Sequence, residues 1–150
     1  MAANADARRN WRERWLTLIY FFSNRELQAA SWIKGLRLFP MWFSYGEVVC
    51  QYFDDLALDN HYQDIIIEGL ISGQEFATIE PFHRALDEYA SFGQKRDLPE
   101  TQILQDADWS TVLRLAVQGW TTLKAIIEDP AEQALIATLE NSYPMTTWVY

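Results

Sequence analysis

Helix-start signals recur along this chain and constrain its fold more than any other feature. Ser23-Asn24-Arg25-Glu26, Ser44-Tyr45-Gly46-Glu47 and Ser72-Gly73-Gln74-Glu75 each have the form of a capping box. In that motif the serine oxygen accepts from the backbone N–H three residues on, and the glutamate reaches back. Asp129-Pro130-Ala131-Glu132 supplies a fourth start, with Asp as cap and Pro where its missing N–H costs nothing, and Asp106 or Asp108 can cap a fifth. Between the starts, apolar residues repeat at helical spacing: Trp11, Trp15, Leu18, Ile19 and Phe22; Val48, Val49, Tyr52, Phe53 and Leu56; Val112, Leu113, Ala116, Trp120, Leu123 and Ile127. The pattern predicts an all-α chain, one domain over residues 1–150, as a bundle of about six helices near 6–22, 24–34, 45–57, 74–92, 109–128 and 130–141.

Two stretches depart from the pattern. Residues 35–43 form an apolar linker expected to press onto the core, and residues 59–71, with Ile65-Ile66-Ile67, are expected to be a buried turn or a short helix, since a lone β-branched strand has no partner. Pro81 is expected to kink the fourth helix or mark a second start. The chain ends in an aromatic tail, Tyr143 to Tyr150.

With 150 residues, 49% apolar and 22% charged, and with seven Trp, the chain has material for one core without disulfides. Cys50 is the only cysteine, which points to the cytoplasm, and its place among Val49, Gln51 and Tyr52 reads as a buried structural thiol. Arg8, Arg9, Arg12 and Arg14 before the apolar run Trp15 to Phe22 imitate a signal peptide. Glu13 interrupts the basic part, and Gln28-Ala29-Ala30-Ser31 is a poor cleavage site. No run approaches the length of a membrane span.

The distribution of charge is more informative than the net −9. Residues 1–37 carry seven basic and three acidic side chains; residues 38–83 carry eight acidic and no basic ones; residues 84–150 carry five basic and ten acidic. Such a balance argues against nucleic acid as a partner, since phosphate binding needs clustered cations. The acids of the middle third are Glu47, Asp54, Asp55, Asp59, Asp64, Glu68, Glu75 and Glu80. Either the basic first helix folds back over them and they are otherwise solvated, or they form a docking surface. In the second case an acidic patch interleaved with Tyr45, Tyr52, Phe53 and Tyr62 steers a cationic partner and anchors it with rigid rings.

Catalytic and metal chemistry finds little support. Glu80 and His83 have the Glu-x-x-His spacing of di-iron bundles, but such sites need the motif twice, and His61, the only other histidine, has Leu58 at the matching position. His83 is expected to pair with Glu80 and Asp87, one turn either way. The run from Asp54 to His61 lacks the glycine and distant glutamate of a calcium loop. Asp54 and Asp55 are adjacent on a helix and point about 100° apart, which is wrong for sharing a proton. The six glycines are scattered singly, so no phosphate loop exists. No catalytic residue, metal ligand or cofactor is predicted, and most tryptophans are expected in the core.

Trp32-Ile33-Lys34-Gly35 closing a second helix, Gly46-Glu47-Val48-Val49 leading to Phe53-Asp54-Asp55, and Asp108-Trp109 opening a later helix together give an order of elements that resembles a family of small, acidic, uncharacterised bacterial cytoplasmic proteins. The resemblance covers roughly residues 11–128, and some relatives, encoded beside toxin genes, look like immunity proteins. It carries over no catalytic residue. What it implies, together with the charge, is a non-enzymatic binding protein that neutralises a cationic protein partner, a bacterial toxin. The contact residues expected are Glu47, Tyr52, Phe53, Asp54, Asp55, Asp59, Tyr62, Asp64 and Glu68. A helical adaptor or scaffold, and a small-molecule binder with an aromatic pocket using His61 or His83, are the alternatives; no membrane contact is expected, and the oligomeric state is left open.

Overall fold

The computed structural model describes residues 4–35, 44–91, 95 and 97–145. Among them the chain is all-α, with no strand. Its helices are α1 (Ala5–Ser23), α2 (Arg25–Trp32), α3 (Tyr45–Cys50), which runs directly into a π-helical turn (Gln51–Asp55), α4 (Gln63–Ile67), α5 (Gly73–Ser91), α6 (Glu100–Ile103), α7 (Ala107–Ile126) and α8 (Pro130–Ser142). Among the described residues no helix is long and apolar enough to cross a membrane.

Local chemistry sets most of these starts. Ser44 Oγ accepts from Glu47 N at 3.1 Å and Asp129 Oδ2 from Glu132 N at 3.0 Å, while Asp106 caps α7 through Asp108 N at 3.1 Å. Ser72 and Glu75 complete a reciprocal box, with Glu75 N donating to Ser72 Oγ and Ser72 N donating to Glu75 Oε1. The first box differs from expectation. Asn24, not Ser23, caps α2 by accepting from Leu27 N at 3.0 Å, because α1 runs through Ser23 and Ser23 Oγ instead donates to Tyr20 O. The helix expected over 45–57 is α-helical only as far as Cys50 before it widens. Helix α5 runs unbroken through Pro81. Cys50, expected to be buried, is exposed, because the buried face here is set by Val48, Gln51 and Tyr52. Residues 36–43 of the apolar linker and residues 146–150 of the tail lie outside the described residues.

Helix α7 packs against both α5 and α1. Gly119 on α7 allows a close approach to α5: a Cβ there would lie 3.2 Å from Ile79 Cδ1 and 3.5 Å from Thr78 O. The centre of the core is Phe22, whose ring meets Tyr52 at 5.7 Å, Phe82 at 5.5 Å and Trp109 at 6.3 Å. Of the described tryptophans, Trp15, Trp32, Trp109 and Trp120 are buried and Trp11 is half-buried.

One charged cluster lies inside this apolar mass. Arg12 is 4% exposed and uses all five of its N–H groups. Nε and Nη2 donate to the Glu132 carboxylate at 2.6 and 2.9 Å, Nη1 and Nη2 to Glu75 at 3.0 and 2.7 Å, and Nη1 also to Leu70 O at 2.9 Å. Burial alone would raise the Glu75 pKa, but Arg12 and Ser72 outweigh it and hold this carboxyl below the usual range. Its stabilisation is therefore present above the ordinary carboxylate pKa and is lost as pH falls through the lowered value. Arg12→Met should lower stability in chemical denaturation at neutral pH by about 3–5 kcal/mol, since it leaves two buried carboxylates without their cation. In mild acid the deficit should shrink, because Glu75 without its cation takes up a proton there.

Candidate functional site

The π turn and the segment joining it to α5 carry most of the predicted contact residues, and the backbone of that segment is unusual. Three non-glycine residues, Ala57, His61 and Tyr62, have φ of 57°, 60° and 70°. Each such L-residue costs about 1–2 kcal/mol relative to a right-handed conformation, so other interactions must hold them. The π turn ends in a Schellman pattern: Leu58 N donates to Phe53 O at 3.0 Å, Ala57 N donates to Asp54 O at 3.2 Å, and Ala57 stands in the left-handed position usually filled by glycine. Helix α4 ends the same way with glycine in that place, Leu70 N bonding Ile65 O and Gly69 N bonding Ile66 O, with Gly69 at φ 77°.

A chain of side-chain hydrogen bonds runs beneath the segment. Trp15 Nε1 donates to Tyr62 Oη at 3.0 Å; the Tyr62 and Tyr52 hydroxyls are 2.7 Å apart; Tyr52 Oη lies 3.0 Å from His83 Nδ1; and His83 Nε2 lies 3.2 Å from His61 Nδ1. Tyr52 and Tyr62 are 0% exposed and His83 is 1% exposed, whereas His61 faces solvent. The polarity of the chain follows from its inner end. An indole N–H can only donate, so Tyr62 accepts from Trp15 and passes its own proton to Tyr52, the only other partner of its hydroxyl among the described residues. Tyr52 then donates to His83 Nδ1, and His83 carries its proton on Nε2 and donates to His61 Nδ1. The opposite polarity would strand the Tyr62 proton in the core, at about 1–3 kcal/mol. Burial, then the neighbouring His61, lowers the His83 pKa to about 4, and burial raises those of both tyrosines.

Several expectations change here. Tyr52 and Tyr62 cannot anchor a partner: both rings are buried, because the hydroxyl chain draws them inward. Phe53 and Tyr45 are half-buried. His83 does not pair with Glu80 and Asp87; Glu80 bonds Arg84 at 2.9 Å, and His83 turns inward to Tyr52 and His61. Glu47, Asp54, Asp55, Asp59, Asp64 and Glu68 are all exposed. The first helix covers them only in part. Arg14 reaches Asp55 at 3.5 Å with both side chains about half exposed, Arg8 Nε donates to Gly69 O, and Arg12 takes Glu75. Among the described residues, Glu47, Asp54, Asp59, Asp64 and Glu68 form no ion pair.

Sequence reasoning missed the apolar member of this surface. Ile67 is 83% exposed, beside Glu68 and three residues after Asp64, hence on the same helix face. The signal was present in Ile65-Ile66-Ile67: successive helical residues point about 100° apart, so a one-turn helix that buries Ile65 must turn Ile67 outward. No group of three or more His, Cys, Asp or Glu among the described residues is placed to hold a metal ion. A cleft of about 360 Å³ lies elsewhere, beside Arg12 between the starts of α5 and α8.

Stability should fall as pH drops from about 6.5, where an unfolded histidine begins to charge, to about 4, where His83 charges in the folded protein. The sign follows from the unfolded chain binding the proton more readily, and the slope contributed by His83 reaches at most about 1.4 kcal/mol per pH unit. Ala57→Gly should stabilise by about 0.5–1 kcal/mol, the left-handed strain relieved less the entropy of glycine; urea denaturation reads both effects. No protein-family model, curated protein or solved structure matches this chain.

Proposed function

We propose that the protein is a non-enzymatic acidic binding protein of the bacterial cytoplasm that neutralises a cationic protein partner, a toxin for which it serves as the immunity protein. The observation that carries this reading is Ile67, a large apolar side chain left 83% exposed among carboxylates that have no cation of their own. An exposed isoleucine inside a solvated acidic face contributes nothing to the fold. Against a partner it gains burial, about 1.5–3 kcal/mol if the side chain is fully covered. Asp54, Asp59, Asp64 and Glu68 supply the steering field, and Phe53 and Ile66, both half-buried, are the apolar neighbours in sequence of Asp54 and Ile67. Neutralisation follows by occlusion: a carboxylate-rich surface seated on the toxin's cationic cleft takes the place of its anionic substrate.

The test begins with affinity capture from native cells, using wild type and Asp64→Lys/Glu68→Lys side by side. A partner retained by wild type and lost with the reversal should present a basic contact surface. In stopped-flow measurements the reversal should slow association strongly at low salt and little near 1 M, where the Debye length is about 3 Å. Ile67→Ala should leave the association rate nearly unchanged and shorten the lifetime of the complex. An acidic contact surface on the partner, or an association rate indifferent to charge reversal at low salt, sinks the proposal.

A further inference from the structure

We infer that the His61–His83 pair is an acid-sensitive latch on the docking segment, which holds the segment in its binding conformation at neutral pH and releases it, with the partner, in acid. This inference rests on the docking reading and adds regulation to it. It follows from the polarity of the hydrogen-bond chain. The pair has two lone pairs, on His83 Nδ1 and His61 Nδ1, and both already accept: the first from Tyr52, the second from His83 Nε2–H. A proton entering the pair has no spare nitrogen, so it breaks one of these two bonds. Reversing the chain to accommodate it strands the Tyr62 proton in the core, because Trp15 N–H at the far end can only donate.

The consequence falls on the backbone. His61 and Tyr62 are consecutive left-handed residues, and both are members of the chain. Breaking a link removes what offsets their strain, and the turn from Ala57 to Tyr62 relaxes. Release of that turn frees the start of α4, hence the placement of Asp64 and Ile67. The charged and titratable groups facing the pair come from three places: Glu80, Arg84 and Asp87 on α5, Tyr52 from the π turn, and His61 and Tyr62 from the segment itself. Arg84 is already bonded to Glu80, so Asp87 is the one carboxylate without such a bond left to favour a cation at His83. It is half-buried and one turn away, and burial still dominates.

The experiment uses the full chain labelled with ¹⁵N, at about pH 7.5 and about pH 5, the range in which histidine pairs switch. At the higher pH both imidazoles should carry their proton on Nε2; a proton on His83 Nδ1 overturns the polarity and with it the latch. Toward the lower pH the amides of residues 57–62 should gain mobility while those of α7 stay ordered; equal order at both pH values overturns the latch. His61→Asn is the informative variant, since asparagine tolerates the left-handed conformation and its carbonyl oxygen can accept from His83 Nε2–H, yet it takes up no proton. It should move the opening to lower pH, leaving the buried His83 Nδ1 as the only site; an unchanged opening pH overturns the assignment to this pair. A lysine-rich peptide at low salt serves as the binding probe. Wild type should bind it several-fold more weakly at about pH 5 than at about pH 7.5, and His61→Asn should not. A segment that opens on schedule in a protein that binds the peptide at neither pH overturns the docking reading, whereas binding that weakens equally in both proteins overturns the regulation alone.

Discussion

The guanidinium of Arg12 is the junction on which the rest of this structure hangs. One side chain on α1 bonds the first turns of α5 and α8 and the carbonyl that precedes α5, so three helices share a single buried cation. A buried ion pair gives little net stability against a well-packed apolar alternative, because the desolvation of each charge offsets the attraction. What it gives is register. Glu75 and Glu132 each stand in the first turn of a helix, and the fork geometry of the guanidinium satisfies both only when those two helix starts meet beside α1. The packing of α5 on α7 and the burial of Phe22 follow from that placement.

The second constraint works on the opposite kind of chemistry. In the Trp15–Tyr62–Tyr52–His83–His61 chain each buried polar atom has its partner. Such a network rigidifies when fully satisfied and becomes costly when one link is lost. It joins α1, the π turn, α5 and the segment before α4, and it holds that segment against three left-handed residues. Above it lie Asp54, Asp59, Asp64, Glu68 and Ile67. Under the proposed docking reading, keeping this surface ordered before a partner arrives preserves affinity, since ordering after contact subtracts from it.

Helix existence and most helix starts were legible in the sequence, because capping and apolar periodicity act over three to eleven residues and need no tertiary partner. The exceptions are instructive. Ser23 failed as a cap because Asn24 has a better role: its oxygen accepts from Leu27 N while its amide donates to Tyr143 O, a residue far along the chain. Cys50 was misplaced because α3 is a short helix whose inward face is set by the π turn that follows, and an extra residue per turn shifts that face. The acids of the candidate surface were read correctly as exposed, since carboxylates without nearby cations avoid burial, whereas Tyr52 and Tyr62 were not, because hydroxyls that find partners in the core can go where apolar rings go.

The order of the elements, their helical class, the segregation of acids into the middle third and the outward turn of one residue in the Ile65-Ile66-Ile67 run were determined by the sequence alone, since each depends on neighbours within a few positions. Which arginine of the first helix is buried, which histidine is inside, and that two tyrosines ten residues apart meet through their hydroxyls were decided only by the tertiary structure. Those outcomes depend on groups from up to 120 positions away arriving within hydrogen-bond range. A buried polar group is tolerated only where every partner converges, and no local pattern encodes that convergence.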